Sequence, residues 1–445
     1  LAERIDALQR QGWLSTGDAE RLRAGRQVLS TNAADKIIEN VVGVFGLPFA
    51  IAPNFLVNDR DYMVPLVVEE PSIVAALSGA ARLARDSGGF RACCDESLLA
   101  GQVHITGAAN PDKALRAIES KKQSLLAAAN EVHPRLLARG GGVRDLEAVL
   151  MELPDGLPLI RVHLLVDTVD AMGANLVNTI CETVSPHLAD LCEGEVALRI
   201  LSNLVDRSLV TAEVRYPTEV LTGDGFDGSV VRDSIVMASD IALVDPHRAA
   251  THNKGVMNGV DAVAIATGND WRAIEAGAHA YAAQGARYQP LTRWRAGENG
   301  DLLGEISIPL KVGTVGGTLE ANRAAALGLA ITGAGSAREL AQLMAAIGLA
   351  QNFAALRALA GSGIQQGHMK LHARSIAGAI ETPEEHFDEL VARLVASGEI
   401  KRWKAEEILG EMRAAPATGS AANGSAAGKV ILFGEHAVVY GRHAL

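Results

Sequence analysis

The chain has 445 residues, 48% hydrophobic but only 4% aromatic, and a formal net charge of −11. That length predicts two or three domains, and the excess of acid argues against nucleic acid as a partner, since binding phosphates needs clustered Lys and Arg. No uninterrupted apolar run reaches the roughly 18 residues of a membrane span, so a cytoplasmic protein with no membrane partner is expected. Cys93, Cys94, Cys181 and Cys192 show no metal-ligand spacing, which predicts reduced thiols and no metal. The first residue is Leu1 rather than Met, so further residues are expected before it.

Residues 1–38 read as helices punctuated at Ser15–Asp18 and Ser30–Asp35. ENVVGVFGLPFAIAPNFLVNDRDYMVPLVVEE follows as strand and loop, in which Glu39 and Asn40 could be plain caps. Pro71 suits the first position of a helix, and Ile73, Val74, Leu77, Ala80, Ala81 and Ala84 recur at helical spacing. Glu70 is therefore expected at a helix N-terminus, where the helix field favours its ionised form. A proton-donor role would need burial or a nearby like charge to raise its pKa; a simple capping role needs neither.

Residues 97–205 have an order of their own. GQVHITGA is strand-like and PDKALRAIESKKQSLLAAANEVH helical. Two strands flank the turn Pro154-Asp155-Gly156, ANLVNTICETVSPHLADLC is helical, and EVALRILSN closes as a strand. This β-α-β-β-α-β order is the ferredoxin-like pattern. No Gly-x-Gly-x-x-Gly follows a strand, which excludes a Rossmann domain. DAMGAN instead lies between a strand and a helix N-terminus, where free N–H groups can hold a pyrophosphate; an ordinary turn would read the same way.

A strand at Leu209–Tyr216 and a helix over Val230–Ala242 lead into DPHRAATHNKGVMNGVDAVAIATGNDWRAIEAG. The buried character of DAVAIAT predicts Lys254 and Asp270 at the two ends of one core element, where opposite charges shift each other's pKa. A structural ion pair is the simpler alternative. Strands are expected at Thr292–Ala296 and Leu303–Leu310, then a Gly-rich loop opening a helix. Gly361, Gly363 and Gly367 permit a hinge, and His368 and His372 share one helical face, without the acidic third ligand of a zinc site. Helices are expected at Pro383–Ser397 and Lys401–Ala414, and Ala415–Gly428 has linker composition.

Five strings resemble one family in the expected order: ENVVG at Glu39–Gly43, VVEEPSIVAA at Val67–Ala76, DAMGAN at Asp170–Asn175, HNKGVMNG with ATGNDWRAIEAG, and GHMKLHAR at Gly367–Arg374. The family is 3-hydroxy-3-methylglutaryl-CoA (HMG-CoA) reductase, the soluble bacterial class, and the resemblance covers about the first 415 residues. The final GKVILFGEHAVVYGRHAL resembles the opening of mevalonate kinase, a GHMP kinase, without that family's phosphate loop.

The resemblance implies an α+β fold: a large mixed α/β substrate domain (1–96 and 206–361), an inserted ferredoxin-like dinucleotide domain (97–205) and a C-terminal helical flap (362–414). A linker (415–428) and a truncated kinase start (429–445) would follow. It implies a four-electron reduction of HMG-CoA to mevalonate and CoA with two NAD(P)H, and a homodimer with sites at the interface. Lys254 would stabilise the oxyanion, Glu70 donate a proton, Asp270 hold Lys254 and couple to Glu70, and His368 protonate the departing thiolate. Glu39, Asn40, Ser72, Arg248, Asn258 and His372 are implied substrate contacts, and Asp170, Met172, Gly173, Ala174, Asn175 and Asn203 line the dinucleotide site. His133, Arg135 and Arg139 lean towards NADPH over NADH, although Glu131 could serve NADH. Fusion to a kinase suggests the isoprenoid-building direction; mevalonate degradation and an inactive CoA-binding scaffold are the alternatives.

Overall fold

The computed structural model describes residues 1–223, 225–316, 319, 322–360 and 364–414, with 364–371 as backbone only. It divides into two compact units, Leu1–His368 and Met369–Leu445. Ten strands are described: β1 (Phe49–Val57), β2 (Arg60–Val67), β3 (Phe90–Cys93), β4 (Leu98–Thr106), β5 (Gly142–Glu152), β6 (Pro158–Asp167), β7 (Glu195–Leu201), β8 (Leu209–Tyr216), β9 (Thr292–Ala296) and β10 (Leu302–Pro309). They form a six-stranded sheet, β2-β1-β3-β8-β10-β9, and a four-stranded one, β5-β6-β4-β7.

The smaller sheet is antiparallel throughout, and its strand order is that of the ferredoxin-like pattern. Its core joins Val103, Ile105, Val162 and Leu164 to Ile118, Val177, Val184 and Leu188 of the covering helices. The helix expected over PDKALRAIESKKQSLLAAANEVH is two helices, Pro111–Ser120 and Lys122–Glu131, because Lys121 leaves helical geometry at φ −102°, ψ 3°.

In the larger sheet β8 alternates strictly: Val210, Ala212, Val214 and Tyr216 point inward, Glu213 and Arg215 outward, as a sheet with one buried face requires. Its inner face carries the helices Pro246–Ala266 and Ala337–Ala360. The latter, of 24 residues, is the one described helix long and apolar enough to cross a membrane, yet 67% of its apolar window is buried in this fold. Two glycines let the pair cross closely. A Cβ on Gly259 would stand 3.0 Å from Ile347, and one on Gly348 3.0 Å from Val256 and Val260. Phe353 stacks on Tyr216 at 4.0 Å between ring centroids, which fixes the polar residues beside it on the same helix.

The second unit has a separate small core, in which Ala373 and Ala377 meet Leu390, Leu394, Ala405, Ile408 and Leu409 from the helices Ile364–Ala379, Glu384–Ala396 and Arg402–Ala414. The linker and kinase-like segment expected at 415–445 lie outside the described residues.

Candidate active site

A cavity of about 550 Å³ opens between the helices Ile73–Arg85, Pro246–Ala266 and Ala337–Ala360, lined among others by Glu70, Ser72, Arg248, His252, Lys254, Asn258, Gln351, Asn352 and Arg357. The chain presents these groups for local reasons. Asp245 caps the second helix by accepting from the His247 N–H at 2.9 Å, and Pro246 fills its first position. Arg248, Thr251, His252, Gly255 and Asn258 then recur every three or four residues, so they share one helical face. Ser72, at φ +77°, caps Ile73–Arg85 without a side-chain cap bond. A non-glycine residue in that region stores strain, a feature that clusters at binding sites.

Lys254 Nζ donates to Glu70 Oε2 at 2.6 Å. The pair is exposed on the cavity wall, so it adds little to stability and is free to face a substrate. Arg248 is half-buried, and that burial lowers its pKa. With Lys254 and Arg357 it makes the wall cationic despite the acidic chain.

The structure separates residues that the sequence reading grouped. Lys254 and Asp270 do not bracket one element: Lys254 sits about two turns into the 246–266 helix, because the HNKG run continues the helix opened at Pro246. Some 18 Å of helix separates it from the helix end at 1.5 Å per residue. Asp270 lies past that end, exposed, capping the helix Trp271–Ala282 by accepting from the Ala273 N–H at 3.1 Å. Pro71 likewise precedes its helix by two residues instead of opening it.

Asp270 lies beside the second group of expected residues. Gly173 caps the helix Ala174–Cys192 at φ +94° with no side-chain cap bond, which leaves the first-turn N–H groups open towards an anion. A Cβ at Gly173 would fall 2.4 Å from Thr168 Cγ2, and one at Gly313 2.6 Å from the Met172 nitrogen. Asn269 Oδ1 accepts from the Gly313 N–H at 2.7 Å, tying the residue before Asp270 to this loop. The carbonyl of Asn203 packs on Gly277, 2.7 Å from where a Cβ would stand. Asp170 has a bond that the sequence did not announce: its Oδ1 accepts from the Ala337 N–H at 2.9 Å, anchoring the start of the long helix.

Glu39 and Asn40 occupy an exposed bend, Asn40 at φ +57°, outside the cavity. His372 is exposed on the helix Ile364–Ala379, and the His368 side chain lies outside the described residues. Cys94, Cys181 and Cys192 are buried free thiols, and burial pushes Cys181 up to about 12. Sequence reasoning gave no role to His252 and passed over Gln351, Asn352 and Arg357. For the last three the available signal was polar residues recurring in an otherwise Ala/Leu-rich helix.

The sequence model of hydroxymethylglutaryl-coenzyme A reductase matches residues 1–373. The 3-hydroxy-3-methylglutaryl-coenzyme A reductase of Archaeoglobus fulgidus is 47% identical over 387 residues, 87% of each chain. A probable enzyme of the same name from Borreliella burgdorferi is 36% identical, over 78% of each. Among solved structures, the Streptococcus pneumoniae reductase superimposes with a TM-score of 0.78 at 44% identity, over 92% of this chain and 97% of that one. The class II Streptococcus pneumoniae enzyme bound to NADPH in open conformations gives 0.77 at 45% identity, over 80% and 96%. The chain belongs to the hydroxymethylglutaryl-coenzyme A reductase family, class II.

Proposed function

We propose that this chain reduces 3-hydroxy-3-methylglutaryl-CoA to mevalonate and CoA, drawing on two NADPH. The observation that carries the reading is the Lys254–Glu70 pair, 2.6 Å apart on the wall of a cavity that also presents Arg248. The residues of the dinucleotide loop fit a pyrophosphate, since Gly173 leaves no Cβ over a helix start with open N–H groups. Bound there, the nicotinamide supplies the hydrides. Lys254 stabilises the negative charge that builds on the thioester oxygen. Arg248 holds the substrate's distal carboxylate as an ion pair, and Ser72 and Asn258, which line the same cavity, are further candidate contacts for its carboxylate and hydroxyl. Glu70, which accepts from Lys254 as a carboxylate, would take up a proton before returning it to the second alkoxide, and His368 is assigned to the thiolate leaving group.

NADPH is favoured over NADH by the segment running into β5. His133, Arg135 and Arg139 lie just before Gly141, where a Cβ would meet the Asp167 carbonyl at 2.7 Å, next to the dinucleotide loop. Cations suit a 2′-phosphate. Separation of Asp270 and the dinucleotide loop from the Lys254 cavity supports a site completed by a second copy. The domain limits given above, the flap role of 362–414 and a mevalonate kinase-like start at 429–445 belong to the same proposal. The last rests on the KVILFGEHAVVYG string alone.

The deciding experiment follows NADPH and NADH oxidation with and without HMG-CoA. HMG-CoA-dependent oxidation, faster with NADPH, is expected; a folded protein that oxidises neither cofactor would leave the CoA-binding scaffold as the better reading.

A further inference from the structure

Eight buried side-chain polar atoms lack a hydrogen-bond partner among the described residues, and three of them, Ser72 Oγ, His252 Nδ1 and Gln351 Oε1, belong to residues lining the cavity that holds Lys254 and Glu70. His252 is only 1% exposed, and a rigid chain of bonds behind it determines what its ring presents. Trp294 Nε1–H, a donor only, reaches the Asn352 side chain at 2.8 Å, so the atom it meets is the amide oxygen. Asn352 Nδ2 accordingly donates to the His252 carbonyl at 3.2 Å. The same amide oxygen takes the Thr292 hydroxyl hydrogen at 2.9 Å. Thr292 has then spent its hydrogen, so at 2.5 Å from His252 Nε2 it accepts. The ring is fixed as the Nε2–H tautomer, and Nδ1 keeps a bare lone pair. Burial first, and Arg248 second, pull its pKa down to about 3, so the ring stays neutral.

A neutral acceptor beneath a cationic wall complements a ligand carrying a hydroxyl next to an anion. An unpaired buried acceptor is also what penalises a ligand without that hydroxyl. We propose that His252 Nδ1 accepts the hydrogen of the substrate's 3-hydroxyl group, which makes His252 the residue that selects a 3-hydroxyacyl substrate, with Thr292 and Asn352 as its positioning residues. This rests on the reductase reading above, and no bond is made or broken at His252.

The test compares kcat/KM for HMG-CoA and for its 3-deoxy analogue, 3-methylglutaryl-CoA, in the full chain. Wild type is expected to favour HMG-CoA by about 100-fold or more, as sites built around a hydroxyl do. His252→Gln keeps an amide donor for Thr292 but has no group at the Nδ1 position, and should shrink that ratio at least ~10-fold, mainly through KM for HMG-CoA. His252→Asn restores an amide oxygen near Nδ1 and should retain more of the ratio. A folded His252→Gln enzyme with an unchanged ratio overturns the assignment. If that variant does not fold, Thr292→Val, which unlocks the tautomer, must lower the ratio, and an unchanged ratio there overturns it equally. A wild type inactive on HMG-CoA sinks the reductase reading itself, a result distinct from either.

Discussion

Lys254 and Gly173 illustrate two ways in which a single residue serves this site. Lys254 carries the charge that would face a developing oxyanion, so Lys254→Ala should lower kcat by at least ~10²-fold while leaving the melting temperature nearly unchanged, because an exposed pair contributes little to stability. Steady-state kinetics beside a thermal melt separate the two effects; parallel loss of both would recast Lys254 as structural. Gly173 acts by what it lacks. At φ +94° with Thr168 Cγ2 only 2.4 Å from a would-be Cβ, Gly173→Ala should cost about 1–3 kcal/mol in strain and weaken NADPH binding. Fluorescence titration of NADPH would expose the error if affinity is retained. Arg135→Ala with Arg139→Ala should raise KM for NADPH several-fold more than KM for NADH.

Between elements, the packing of Pro246–Ala266 on Trp271–Ala282 holds a half-buried acid pair. Burial first, then the neighbouring Glu275, push the Asp261 carboxyl well above the usual carboxylate range, while Glu275 is held low, chiefly by its bond to His279, 2.6 Å away. A carboxyl whose folded pKa is raised contributes stability fully below its unfolded pKa, near 3.8, and that contribution fades as pH rises towards the folded value. Asp261→Asn should therefore melt above wild type at pH 8, the two converging near pH 4. Differential scanning calorimetry across that range decides it; a variant less stable at pH 8 contradicts the buried-proton assignment.

For the whole molecule, one helix carries the substrate cavity near its start and leads past its end to Asp270 and the dinucleotide loop. Under the proposed dimer, each copy supplies what the other lacks. Mixing Lys254→Ala with Asp270→Ala subunits, unfolded and refolded together, should then regain roughly a quarter of wild-type activity, because half of randomly formed dimers hold one intact site of two. No regained activity, with mixed dimers confirmed by mass, would place both residues in one copy's site.

Much of this was legible in the sequence. The ferredoxin-like order and the strand at Leu209–Tyr216 follow from strand period and turn residues, which act over a few positions. The motifs carrying Glu70, Lys254 and Gly173 were legible for the same reason: each is a short run. Three features needed tertiary structure. Lys254 and Asp270 are close in sequence but lie on either side of a helix end, so their separation depends on where the helix begins and stops. Asp170 became a helix anchor only because Ala337, 167 residues away, was brought to it. His252 acquired a fixed tautomer only when Thr292, Trp294 and Asn352 converged on it from β9 and a second helix. Local spacing determines which element forms and which side chains share its face. Which atom is left without a partner depends on long-range packing, and that is decided only in the folded chain.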